Sequence, residues 1–339
     1  MTHRTMSLLL VAAVVAVLAP LPAVGQGQAE IWEPPRLGDG RPDLQGVWDF
    51  RTATPLERPA QFGDRETLTE EEAASVEAFA GFIAQAADRQ PPEGNVGAYN
   101  AFWLDFGTTV GEDRRSSLIV EPANGRLPAL ADGVATQVGS LDEDLPGEYP
   151  WRVRSAGLGA DGPEDRGLAE RCLLGFNAGP PMMPSAYNNN MQLFQNAGHV
   201  VILNEMVHDA RVIPLDNSPH LSNDVRQWHG DSRGRWDGDT LVVETRNFSE
   251  KTASFDPSAL QALGTGTTLR LTERFTRLSE DTLLYEYTVD DPTTFTQPFT
   301  VALPMRQSQG LVYEYACHEG NYGMVNALSG ARAEEAASR

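Results

Sequence analysis

Lysine is almost missing from this chain. Lys251 is the single one, so every other cation among 26 basic residues is arginine. Schiff-base chemistry would have to use Lys251, which sits in a polar, loop-like stretch, and this disfavours it. Cations of either kind are scarce against 47 acids, for a net charge of −21. Nucleic acid and anionic membrane surfaces both need basic patches, so neither is expected as a partner. There is no Gly-x-Ser-x-Gly and no phosphate-cradling glycine loop, which disfavours serine-hydrolase, nucleotide and Rossmann chemistry. After the N-terminus no apolar run is long enough to span a bilayer.

What the N-terminus does carry is a run from Met6 to Leu18 behind His3 and Arg4, followed by Pro20, Pro22 and Ala23-Val24-Gly25. This pattern predicts a cleavable signal peptide over 1–25 and a secreted or periplasmic mature chain. An uncleaved anchor is the other reading, but about a dozen apolar residues fall short of the ~20 that a spanning helix needs. The mature part, 26–339, reads as a single β-rich domain in three stretches: strands and a helix over 43–127, a loop-rich segment over 128–185, and an antiparallel meander over 186–322. Its two cysteines, Cys172 and Cys317, pair most simply as one disulfide in an oxidising compartment. Two buried thiols are the alternative.

Leu44–Phe50 reads as a first strand. Thr69 and Glu72 form a capping box, and Ala73, Val76, Phe79, Ala80 and Ile83 recur at helical spacing until Asp88–Pro92 stops them. Ala101–Phe106 and Ser117–Glu121 are expected as strands. The C-terminal half continues with strands at 191–196, 199–206 and 211–214. A hairpin over 233–247 turns at Asp237-Gly238, and strands at 269–278, 282–289, 294–303 and 311–317 follow. Connections this short require antiparallel pairing. Leu269, Leu271 and Phe275 share one face, as do Leu283, Tyr285, Tyr287 and Val289. Half-buried, sequentially paired strands must close on themselves or stack on a second sheet. The expectation is therefore a mainly β fold: an up-and-down, lipocalin-like antiparallel β-barrel with one N-terminal helix and long loops outside, the alternative being a β-sandwich.

Three segments, Pro42–Trp48, Gly234–Val243 and Tyr313–Tyr322, resemble a family of exported bacterial proteins to which no activity is attached. The resemblance implies export and covers nearly all of the mature chain. Gly46-x-Trp48 on a first strand is similar to lipocalin-like barrels, which implies a cavity for an apolar small molecule.

Candidate site residues fall into three groups. His208, Asp209, His229, His318 and Glu319, with Glu205 nearby, have the side chains of a general acid–base pair. His208, His229 and His318 are the imidazoles from which a divalent metal such as Zn, Fe or Mn would be held, although their spacing matches no recognised metal motif. Glu273 and Gln297 interrupt apolar strand faces, so an inward carboxylate would need an inward arginine or a ligand, unless a bulge flips the register. With Tyr285 and Tyr287 they are expected to line a cavity. Tyr187, beside Asn188–Asn190, offers hydroxyl-binding groups, and Arg226, near Arg233 and Arg235, offers an anion clamp or an internal ion pair. The resulting expectation is a small-molecule-binding barrel; the alternatives are an extracytoplasmic metal-assisted hydrolase or acid–base lyase or isomerase, and a cell-surface interaction protein.

Overall fold

Alternation of side chains is the strongest local signal in this chain, and the fold follows it. A computed structural model describes residues 32–87, 104–134, 136–138, 160–258 and 261–339. The expected signal peptide lies outside the described residues, as do 101–103 of the strand expected at 101–106 and residues 88–92 after the helix. In order, the elements are β1 (Gly46–Asp49), α1 (Glu70–Ala87), β2 (Ile119–Glu121), β3 (Thr136–Val138), β4 (Asn190–Gln195), β5 (His199–Asn204), β6 (Ala210–Pro214) and β7 (Asp231–Asp237). Then come β8 (Thr240–Arg246), β9 (Phe255–Ser258), β10 (Gln261–Leu263), β11 (Arg270–Arg277), β12 (Thr282–Asp290), β13 (Phe299–Ser308) and α2 (Tyr322–Ala337).

The main sheet runs β6-β5-β4-β1-β13-β12-β11-β8-β7, with β2 added on β13, and every pair in it is antiparallel. β12 alternates between buried and part-exposed residues from end to end, as its sequence predicts. Its buried face joins Trp48, Met191, Ile202, Leu241, Phe275 and Leu303 in one core. Each such side chain contributes roughly 1.5–3 kcal/mol through burial, which is why a strict two-residue period fixes the register. A one-residue slip would bring Arg274, Glu286 and Thr288 into that core.

β6 and β7 end the order, and no ladder joins them among the described residues. They nevertheless lie close. A Cβ added to Gly234 of β7 would come within 2.6 Å of Leu215 and 2.9 Å of Ile213. Glycine at this position permits the approach.

A small second sheet, β3-β10-β9, was not expected. Pro257 sits in β9, an edge strand, where a missing N–H costs nothing. The helix is as expected: Glu72 N donates to Thr69 Oγ1 (3.2 Å) and Thr69 N donates to Glu72 Oε2 (3.0 Å).

Four expectations need correction. The segment 104–106 forms no strand, and neither does Leu311–Cys317, which is irregular, pairs in no sheet and enters a turn at Cys317. Helix α2, also unanticipated, follows it, started by Asn321 Oδ1 accepting from Met324 N (3.2 Å). The strand expected from Thr294 begins only at Phe299, because Asp291 holds a turn: its carbonyl accepts from the amides of Thr294 and Phe295. The hairpin turns on Gly238-Asp239 rather than Asp237-Gly238, since Asp237 pairs with Thr240. No helix among the described residues is long and apolar enough to cross a membrane.

Candidate functional site

The outer face of β12 and β13 is covered where the chain leaves β1. Residues 104–113 form a strap over it. Asn189 Nδ2 donates to Asp105 O (3.1 Å), Ala53 N donates to Thr109 O (2.8 Å), and Val110 N donates to Glu77 Oε1 of α1 (3.0 Å). Gly107 is needed at the closest point, because a Cβ there would fall 2.1 Å from the Thr52 backbone nitrogen.

Beneath the strap is a cavity of about 660 Å³. That is within the ~300–1,000 Å³ typical of small-molecule sites. Its apolar surface comes from Leu284, Ala302 and Pro304 of the sheet together with Leu118 and Val120. Its floor is set by register, with Leu284 opposite Pro304 and Glu286 opposite Ala302. A second cavity of about 750 Å³ runs under Phe79 and Ile83 of α1 and shares Thr52, Thr54, Phe106, Gly107 and Leu118 with the first.

Charge at the cavity is ordered around three arginines. Arg51 pairs with Asp49 (2.7 Å) and with Asp105, and the Asp49 hydrogen bond holds its guanidinium firmly protonated. Burial pushes the Asp105 carboxyl up, with Asp49 and Glu205 adding to the effect and Arg51 opposing it. Arg306 pairs with Glu112 (2.8 Å) and Asp281 (3.8 Å). Arg115 makes no side-chain hydrogen bond or ion pair among the described residues, and its Nε is buried without a partner.

A second polar cluster lies where β5 ends and β6 and β7 begin. His229 Nε2 lies 3.3 Å from Asp209 Oδ2, close enough for an ion pair but off hydrogen-bond alignment. The other tie of Asp209 is from Gly175 N (3.2 Å). His208 Nε2 accepts from Tyr315 N (3.1 Å). Glu205 accepts from Asn190 Nδ2 (2.7 Å) and Tyr313 N (3.4 Å). Val207 and His208 are consecutive left-handed residues, at φ 62° and 55°. Such conformations cost of order 1–3 kcal/mol each and cluster at functional sites. The cysteines pair as expected, with Cα atoms 5.9 Å apart, and this bond anchors the segment bearing Tyr313 and Tyr315.

The other expected site residues are dispersed. Glu273 points inward without a bulge, since β11 keeps continuous register with both neighbours. Arg211 of β6 grips it with 2.5 and 2.8 Å hydrogen bonds, and Tyr285 donates to it at 2.8 Å. Burial, with the Glu273 charge adding to it, pushes the Tyr285 hydroxyl well above its ordinary range. Tyr287 packs beside Tyr285 with the rings tilted and 5.5 Å apart, inside the core. The arginine that Glu273 required was thus missed, although Arg211 shares its strand parity with the buried Ile213. Gln297 does not face inward: it is exposed in the bend before β13. Tyr187 packs edge-on against Phe176 at 5.3 Å. Arg226 donates to the carbonyls of Phe248 and Thr267 and so braces two loops, while Arg233 pairs with Asp231. His318 and Glu319 are exposed in the turn after Cys317. The three histidines do not assemble: among the described residues, no three His, Cys, Asp or Glu side chains form a group able to hold a metal ion. Arg115 and Glu286 were not anticipated, because one lies in an irregular segment and the other on a face that its alternation marks as solvent-facing. Set against protein-family models, curated proteins and solved structures, the chain matches none of them.

Proposed function

We propose that this is an exported β-barrel protein that binds a small, largely apolar organic molecule. The binding place is the cavity between the outer face of β12–β13 and the strap 104–113. The observation that carries this reading is a preformed cavity of metabolite size with an apolar floor and charged groups around it. The sheet interior is a poor alternative place, because Trp48, Phe275 and Tyr285 fill it at full burial. The barrel is supported by an up-and-down order in which β1 links β13 to β4, and by the approach of β7 to β6 at Gly234.

Native mass spectrometry of protein purified from the periplasm tests the reading. The expected result is a co-purified organic ligand, or uptake of an apolar dye that Leu284→Arg and Ala302→Arg each weaken at least tenfold. Dye binding that both variants leave unchanged would place the ligand elsewhere.

A second reading, acid–base chemistry at His229 and Asp209, is favoured by the paired left-handed residues Val207 and His208 beside them.

A further inference from the structure

The cavity is lined by two charges that no side chain among the described residues pairs with. Acids outnumber basic residues 47 to 26, so an arginine here has carboxylates in excess to pair with. Arg51 and Arg306, which line the same cavity, are each paired twice over. Arg115 has no such partner among the described residues, although its Nε is buried. Glu286, at the edge of the apolar floor and between cross-strand neighbours Arg274 and Ala302, also makes no hydrogen bond or ion pair among the described residues. Arg274 turns away from it to Asp237 (3.2 Å).

Two unmatched charges of opposite sign lose hydration when a ligand displaces water from the cavity. Each then needs a charged partner of its own. An apolar acid would satisfy Arg115 and leave Glu286 desolvated, and an apolar amine would do the reverse. We propose that the ligand is amphoteric: an amino-acid-type molecule whose carboxylate meets Arg115, whose ammonium meets Glu286, and whose apolar body lies on Leu284, Ala302 and Pro304. This rests on the cavity being the binding place.

The test is isothermal titration of the full mature protein with 8-aminooctanoate, 2-aminooctanoate, octanoate, octylamine and octanol, which share a chain and differ in charge. At least one amino acid is expected to bind tenfold or more tightly than octanoate and octylamine. Arg115→Met and Glu286→Gln are each expected to abolish that advantage, with circular dichroism confirming that both variants fold. Equal or tighter binding of octanoate, octylamine or octanol would overturn the amphoteric assignment while leaving the cavity as the site. An advantage that survives both substitutions would also overturn it. Binding of none of the five would overturn the cavity reading itself.

Discussion

A carboxylate with no measurable exposure in a β core has to be neutralised, and Glu273 is neutralised by one side chain above all. Arg211 donates two hydrogen bonds to it, and Tyr285 donates a third while its own oxygen accepts from Met182 N (3.1 Å). Burial of Arg211 by itself would favour its neutral form, but the Glu273 charge outweighs that and raises its pKa. Breaking such a pair on one side strands the other charge and costs about 3–5 kcal/mol, whereas exchanging both for apolar groups of similar volume is often near neutral. Arg211→Met is therefore expected to lose stability by that amount in urea denaturation, and Arg211→Met with Glu273→Leu is expected to recover most of it. A loss under about 1 kcal/mol for the single variant would mean that Glu273 is hydrated. The sequence marked Glu273 because it breaks a run of inward apolar residues. Arg211 escaped notice because its strand is five residues long, too short for alternation to be read with force.

Turns decide where the elements begin. Phe295, Gln297 and Phe299 alternate as a strand would, yet the strand starts at Phe299. Pro298 has no N–H for a ladder, and Asp291 captures the preceding residues instead. Its side chain accepts from Thr268 (2.7 Å), Thr293 (2.8 Å) and Thr294 (2.7 Å). Burial alone would raise its pKa, but these threonine hydrogen bonds outweigh that and hold it below the ordinary carboxylate value. A depressed folded-state pKa adds stability that is fully present above the unfolded value and lost as pH falls through the folded one. Asp291→Asn is expected to cost about 1.5–3 kcal/mol at pH 7. The gap from the parent protein should narrow below about pH 4 in acid-denaturation curves. A gap that stays constant to pH 2 would show that the charge does not matter. The capping box of α1 was legible because both of its bonds are local. α2 was not, since none of its residues is buried and its hydrophobic pattern is faint.

Across the whole molecule, the disulfide closes a 145-residue separation, and the loop it forms takes in most of the main sheet. Loop entropy assigns such a closure about 5 kcal/mol at 25 °C. It also tethers the arm whose amides cap Glu205 and His208. Cys172→Ser with Cys317→Ser is expected to lower stability toward that figure and to remove hydrogen-exchange protection at Tyr313 and Tyr315, while the sheet amides of β12 stay protected. Protection at Tyr313 and Tyr315 that survives the double substitution would mean that the arm is held by its own contacts. The β class, the antiparallel meander and the cysteine pairing were all legible, because each depends on local period or on simple counting. The cavity was not. It is formed by an irregular strap folding over an outward strand face, and neither partner carries a periodic signal.

Nine strands follow one another along the main order, with each antiparallel to the next. Alternation over an odd number leaves the first and last pointing the same way, like a ring of alternating spins with one bond that cannot be satisfied. β6 and β7 inherit that frustrated position. Any join between them must be parallel, so the 16 residues linking them must double back over the end of the sheet instead of turning tightly. Both strands therefore start from the same end. Asp209 and His229, one residue and two residues ahead of them, face each other across the seam because the strand count is odd.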